Sequence, residues 1–425
     1  MKYRKSPLLI GTLAASMVST AAVADTELTF LLDVAPDTIA VFEAIIEAFE
    51  EANPGITVEI ETRPSGGEGD NMVKTRLATG EMTDVFLYNT GSLFQAINPE
   101  NFLVPITGQD YAENINQSFL QTVTAGDDIF GVPTSTAMGG GIFYNVPIYE
   151  KLGLEVPTTW AEFMANNQAI KDAGMVAVAQ TYRDTWTSQL FVLSDYYNVQ
   201  AAVPDFAESY TQNEAKFATT PAALRGFEKL QEVFDGGFLN EDFGAANFDA
   251  GLRMVATGEA AHYPMLTFAV GAIKATYPEH IDDIGFFAQP GDDADNNGLT
   301  VWMPSGLYIP KTSEHIEEAH KFLGFVASVE SCDIQNATVG AQGPYLIDGC
   351  TLPEDVPGAV ADLLPYFQEG GNTAPALEFL SPIKGPALEQ ITVEVGSGIR
   401  PAADGAALYD NDVKKQAQQL GLPNW

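Results

Sequence analysis

Three short polar stretches and two tryptophans hold the side chains of this sequence best suited to grip a small polar molecule. Asp33 to Asp37, Arg63 to Asp70 and Asn89-Thr90-Gly91-Ser92 each follow an apolar run of strand type. Within them Asp33, Arg63, Glu68, Asn89 and Thr90 offer carboxylates, a guanidinium, an amide and a hydroxyl, groups that donate and accept hydrogen bonds in pairs and forks. Trp186 ends the polar turn Tyr182-Arg183-Asp184-Thr185-Trp186, and Trp302 follows the polar stretch from Gly291 to Gly298. The plainer uses of the same residues are loop capping, solvation, an Arg183–Asp184 pair and, for the tryptophans, packing. Trp160 opens a capped helix and is assigned to the core, and Trp425 is given no role.

Several chemistries fail on spacing. Asp293-x-Asp295-x-Asn297-Gly298 fits the first half of an EF-hand loop, but its twelfth position is Pro304, so the bidentate carboxylate is missing. His262, His280, His315 and His320 form no HExxH and no i,i+4 pair. The sequence has no phosphate loop, no GxGxxG at a strand–helix junction and no GxSxG elbow. We therefore expect no cofactor, no metal and no catalytic residue. Cys332 and Cys350 are the two cysteines. In an oxidising compartment they are expected to form a disulfide, and a loop of that span contributes about 3 kcal/mol in the chain-entropy model.

The polar stretches are positioned by strands and helices that the pattern makes plain. Leu28, Phe30 and Leu32 alternate as a strand, Ile39, Phe42, Ile46 and Phe49 form one helical stripe, and Asn53-Pro54-Gly55 ends that helix. Ile56, Val58 and Ile60 make a second strand. This βαβ unit commits the domain to a largely parallel sheet, whose ligands sit beyond the carboxyl ends of the strands. Gly66-Gly67-Glu68-Gly69 reads as a flexible loop leading to a helix from Asp70, and Asp84 to Tyr88 reads as a third strand. Met138 to Gly141 reads as a glycine-rich link before a strand to Tyr144. The pattern then restarts, with a capping box at Thr159-x-x-Glu162. Strands are expected at Met175–Ala179, Ala260–Tyr263, Ile284–Phe287 and Gly306–Ile309, and the last quarter is read as mostly helical.

The chain has 425 residues, enough for two domains with full cores. Residues 1–24 read as a signal peptide. Lys2, Arg4 and Lys5 precede the apolar run from Pro7 to Val18, and Ala22-Val23-Ala24 is a small-residue cleavage site. Removing it leaves 17 basic against 57 acidic residues, a net charge of -40. Such a surface repels nucleic acid and anionic lipid. It suits a saline medium better than it identifies a cationic ligand. No later stretch is long and apolar enough to span a membrane, so we expect a soluble, exported, monomeric protein.

Further motifs resemble the extracellular solute-binding proteins of ABC transporters, in particular the carbohydrate-binding family related to maltose-binding protein. They are Phe42-Glu43-x6-Glu50-x2-Asn53-Pro54-Gly55-Ile56-x-Val58, Leu77-Ala78-x-Gly80-x3-Asp84-Val85-Phe86, Tyr144-Asn145, Pro157-x-Thr159-Trp160-x-Glu162-Phe163 and Phe248-x9-Gly258-Glu259-Ala260-Ala261. Thr83 stands where proline is usual and His262 where methionine is usual. The resemblance implies an α/β, two-lobe periplasmic-binding-protein fold (type II), each lobe a mainly parallel sheet flanked by helices, joined by hinge strands. It implies sugar capture without catalysis and delivery to permease subunits in the inner membrane. It adds Phe268, where the family's tryptophan usually falls, and Tyr345, in a loop near the cleft, to the candidate ligand contacts. A pyranose has an apolar C–H face that an aromatic ring matches and a rim of hydroxyls that planar polar groups match. The expected lobes are residues 25–132 with 285–330, and 133–284 with 331–425. Three other functions stay open at this point. They are a ferric-ion carrier using Tyr196-Tyr197, a polyamine carrier, and an exported glycoside hydrolase with two cleft carboxylates.

Overall fold

The computed structural model describes residues 26–134, 136–303, 305–368 and 371–425. The expected signal peptide and its cleavage site lie outside the described residues. Eleven strands concern us: β1 (Thr26–Asp33), β2 (Ile56–Arg63), β3 (Val85–Asn89), β4 (Val132–Pro133), β5 (Met138–Asn145), β6 (Val176–Val178), β7 (Ala260–Leu266), β8 (Ile284–Ala288), β9 (Leu299–Trp302), β10 (Ser305–Tyr308) and β11 (Thr373–Pro375). The helices that matter here are α1 (Pro36–Ala52), α2 (Gly66–Thr79), α3 (Gly91–Ala96), α4 (Trp160–Asp172), α5 (Pro221–Asp235), α6 (Phe248–Ala256), α7 (Ala269–Thr276), α8 (Ile316–Val326), α9 (Val329–Thr338) and α10 (Leu377–Leu380).

The strands form two large sheets. The first has the order β2-β1-β3-β10-β4, with β1 parallel to β2 and β3, and β10 antiparallel to both its neighbours. Leu28, Phe30, Leu31 and Leu32 are all fully buried, so both faces of β1 are covered, as in a parallel sheet between helices. On one side Phe42 and Phe322 stand edge-on to Phe30, locking α1 and α8 against the sheet. The second sheet is built on β5, with β7 on one side and β8 and β9 sharing the other. Its helical layer holds Trp160, Phe163, Phe227 and Leu230 in a separate core. The expected capping box at Thr159 and Glu162 starts α4.

Three local readings change. The Gly66–Gly69 stretch is the first turn of α2, not a loop before it. The first N–H groups of a helix have no intrahelical partner anyway, and glycine fits here because a Cβ on Gly69 would meet Arg63 Nη1 and the Pro64 carbonyl. The stretch Met138–Gly141 is strand, continuous with β5. Its glycines let other groups press on the sheet: a Cβ on Gly139 would lie 2.6 Å from Leu363, and one on Gly140 would strike the Trp302 ring. Val329–Thr338 adds a helix, α9, beyond Ser328, where the helix expected from Ser313 ends.

The pairing also shows which sheet each later strand joins. β8 and β9 hydrogen-bond to β5, so residues 284–302 belong with the second sheet rather than the first. The segment around 345–347 pairs with Ile115 and Thr136 and stays with the first. The chain thus leaves the first sheet after Pro133, enters it again at Ser305 after Trp302 of the second, and leaves it once more after Ile347. Cys332 and Cys350 are bonded, joining α9 to the end of the 340–350 loop.

Candidate functional site

The first wall of the gap comes from the carboxyl ends of β1, β2 and β3. Parallel register sets Asp33 beside Arg63. The Asp33 carboxylate accepts the Ala35 N–H at 3.1 Å and so shapes the turn into α1. Arg63 is buried, at 4 % exposure. It donates to the carbonyls of Pro64 (3.2 Å) and Leu87 (3.4 Å), and its guanidinium lies 6.0 Å from the centre of the Tyr88 ring. Arg63 Nε and the Tyr88 hydroxyl have no partner among the described residues. Burial holds the Tyr88 phenol protonated. Burial also pushes the Asp70 carboxyl upward, against the pull of Lys74, Arg63 and Lys384. A buried donor left unpaired costs about 1–3 kcal/mol, which makes Arg63 Nε and the Tyr88 hydroxyl the costly polar atoms at this sheet edge.

Other sequence candidates on this wall differ in availability. Glu68 is exposed in the first turn of α2. Asn89 is half-buried, its carbonyl accepting from the Tyr308 hydroxyl at 3.1 Å, and no side-chain bond occupies its amide among the described residues. Thr90 is buried, and its hydroxyl donates to the Met303 carbonyl at 2.6 Å, which ties β3 to the crossing segment.

The second wall is aromatic. Trp186, Phe248 and Phe268 form a triangle with ring centres 5.6 to 6.2 Å apart, and each is partly exposed. Phe248 starts α6 and Phe268 immediately precedes α7. Asp184 does not pair with Arg183. It accepts the Phe248 N–H at 2.7 Å and fixes the start of α6 beside Trp186. A Cβ on Gly66 would lie 3.8 Å from the Trp186 ring, so Trp186 sits beside the first turn of α2. Gly66 has φ +67°, a left-handed conformation that glycine adopts without strain.

Two candidates lie elsewhere. Trp302 is 3 % exposed, packs with Met138 and Ala376, and donates its indole N–H to Glu378 at 2.6 Å. Glu378 in turn holds Lys384 at 2.9 Å. Trp302 reaches the gap through Phe268 and Phe379, which pack on the same cluster. The Tyr345 hydroxyl lies 3.0 Å from the Cys332 carbonyl and 2.8 Å from Asn336 Oδ1, so it anchors its loop to α9. Tyr196 is buried against Phe206, whereas the Tyr197 ring covers Gly298. The adjacent tyrosines therefore do not form one oxygen-rich site. Asp293 caps its own turn, accepting from Asp295 N at 3.0 Å and Asn296 at 2.8 Å.

The sequence reading missed Phe248, Tyr88, Asp37 and Gln342. Tyr88 lies in an apolar run and Phe248 opens a helix, positions that resemble core. Asp37 carried a weak signal as the last residue of a polar loop. Its carboxyl is raised by burial and by nearby Asp33. Beside Gly271 of α7 lie the Asp37 carboxylate and the Gln342 amide, so this edge of the gap draws on three segments.

Two sheet-centred lobes joined by several chain passages, with partly exposed aromatics of one beside polar strand ends of the other, are the architecture of a solute-binding protein. The chain belongs to the family described as bacterial extracellular solute-binding protein, which matches residues 35–331. It is 26% identical over 318 residues to the multiple sugar-binding protein of Streptococcus mutans, covering 72% of this chain and 73% of that one. It is also 26% identical over 315 residues to an uncharacterised ABC transporter extracellular-binding protein of Pyrococcus horikoshii, covering 71% and 68%. A solved chitin oligosaccharide binding protein superposes with a TM-score of 0.82 at 20% identity, over 93% of this chain and 100% of that one. The solute-binding protein RafE in complex with raffinose gives 0.75 at 20% identity, over 93% and 99%. The fold is that of the type II periplasmic binding proteins.

Proposed function

We propose that this protein captures a mono- or oligosaccharide outside the cytoplasmic membrane and hands it to the permease of an ABC importer, without chemical turnover. The observations that carry this reading are the partly exposed triangle of Trp186, Phe248 and Phe268, with Trp186 beside the first turn of α2, and the unpaired buried groups at the ends of β2 and β3. The rings suit the C–H face of a sugar, and Arg63 Nε, the Tyr88 hydroxyl, the Asn89 amide and Asp70 suit its hydroxyls. Asp33 and Glu68 stand at the rim. The multiple sugar-binding relative and the raffinose- and chitin-oligosaccharide-binding neighbours support the same ligand class. Export through the signal peptide, with cleavage after Ala24, places the monomer in the periplasm, where the Cys332–Cys350 bond is stable.

Purified protein is expected to gain several degrees of melting temperature with one sugar of a panel and to leave that sugar unchanged. Trp186→Ala is expected to weaken its binding about tenfold or more in calorimetry, with the unfolding midpoint of the free protein almost unmoved. Stabilisation by iron or a polyamine alone, or release of product from a glycan, overturns the proposal.

A further inference from the structure

We infer that Gln342, seated on Gly271, is a positioning residue that sets how closely the two lobes meet around the ligand. The inference rests on the reading of the gap as the binding cleft. α7 belongs to the second lobe, following β7, and Gly271 lies three residues after Phe268, on the same helix face. Phe268 belongs to the aromatic triangle, so Gly271 looks toward the same gap.

The backbone of α7 is open at Gly271, and first-lobe groups lie against it. A Cβ there would land on the Gln342 amide nitrogen and come within 3.6 Å of Asp37 Oδ2. One turn later the Lys274 ammonium lies against Gly340. The loop from 340 to 342 therefore lies against α7, and the end of the Gln342 side chain fills the place that a Cβ on residue 271 would take.

That loop is firmly held. The Pro344 carbonyl accepts the Ala137 N–H at 2.7 Å, and the Leu346 carbonyl accepts the Asn116 N–H at 2.8 Å. Tyr345 binds α9 through its hydroxyl, and the disulfide ties Cys350 to the same helix. Gln342 is 8 % exposed, and its amide makes no hydrogen bond among the described residues. Its side chain acts as a spacer on a fixed arm, and its contact with α7 is one the lobes make on coming together.

The test is a pair of substitutions, read by calorimetry and by small-angle scattering with and without the sugar that stabilises the wild type. Gly271→Ala is expected to weaken binding about tenfold, the scale of an overpacked contact, and to leave the sugar-saturated protein less compact than the wild type. Gly271→Ala combined with Gln342→Ala is expected to regain compaction and to bind within about threefold of Gln342→Ala alone, because the added methyl then has room. A merely structural defect at Gly271 would not be rescued this way. Normal binding and compaction by Gly271→Ala, or failure of the double variant to recover, overturns the inference while sugar binding by the wild type stands. A wild type that compacts with no sugar overturns the cleft reading and this inference together.

Discussion

His262 is wholly buried between β7 and its neighbours, with Nε2 2.7 Å from the Tyr149 hydroxyl and Nδ1 unpaired among the described residues. Burial pushes the imidazole down to about 3. Its folded value therefore lies below the unfolded value near 6.5, so the folded state binds fewer protons. Stability from this group is full above the unfolded value and is lost as pH falls toward the folded one. Between pH 7 and pH 5 that loss is about 2 kcal/mol. His262→Met is expected to reduce the difference in urea-unfolding free energy between those two pH values by about that amount. An unchanged difference would remove His262 from the acid response. At this scale the sequence showed the polar ends of strands well, because side chains such as Asp33, Arg63 and Asn89 are conspicuous after apolar runs. It could not separate Trp186 from Trp302. Both follow polar turns, and what divides them is the partner of the indole nitrogen: Glu378 for Trp302 and nothing described for Trp186. Phe248 was hidden for a similar reason, since a phenylalanine at a helix start looks like core until its neighbours are known.

At the scale of elements, the α9–loop unit gives the clearest prediction. The disulfide spans 18 residues of sequence, and the enclosed loop holds Gln342 and Tyr345. Replacing both cysteines by serine is expected to cost about 3 kcal/mol in denaturant unfolding and to weaken sugar binding further by loosening the loop. Full stability without the bridge would mean that the Tyr345 hydrogen bonds and backbone pairing already fix the loop. Elements with a strong period, such as α1 and β1, were legible from sequence alone. Glycine-rich stretches were not. Gly66–Gly69 and Met138–Gly141 suggest flexibility by composition, yet one is a helical turn and the other a strand. At Gly140 the missing Cβ makes room for Trp302, far away in the chain, whereas Gly66 is called for by its positive φ and Gly69 by the nearby Pro64 carbonyl. The partner of β8 was hidden likewise, because it reads as a strand without revealing which sheet receives it.

For the whole molecule, charge is the dominant unmodified feature. The full sequence has 57 acidic and 20 basic residues, and such an excess opposes compactness through self-repulsion. Ion pairs such as Arg225 with Glu232 and Asp292 relieve it locally. Added sodium chloride, by shortening the screening length from about 10 Å at 0.1 M to about 3 Å at 1 M, is expected to raise the melting temperature, and potassium chloride is expected to do so equally. A fall in melting temperature would show that surface pairing outweighs repulsion.

β10 lies between β3 and β4 in the first sheet, although more than 170 residues separate Pro133 from Ser305 in the chain. While a ribosome is still short of residue 308, the amino-terminal part has β3 as an open edge and β4 without a strand to pair with. It cannot complete a stable core ahead of the rest. A polypeptide wired in this order stays pliant through most of its synthesis, which is the condition a secretion channel for extended chains requires, and it sets hard only once nearly three quarters of its length has emerged.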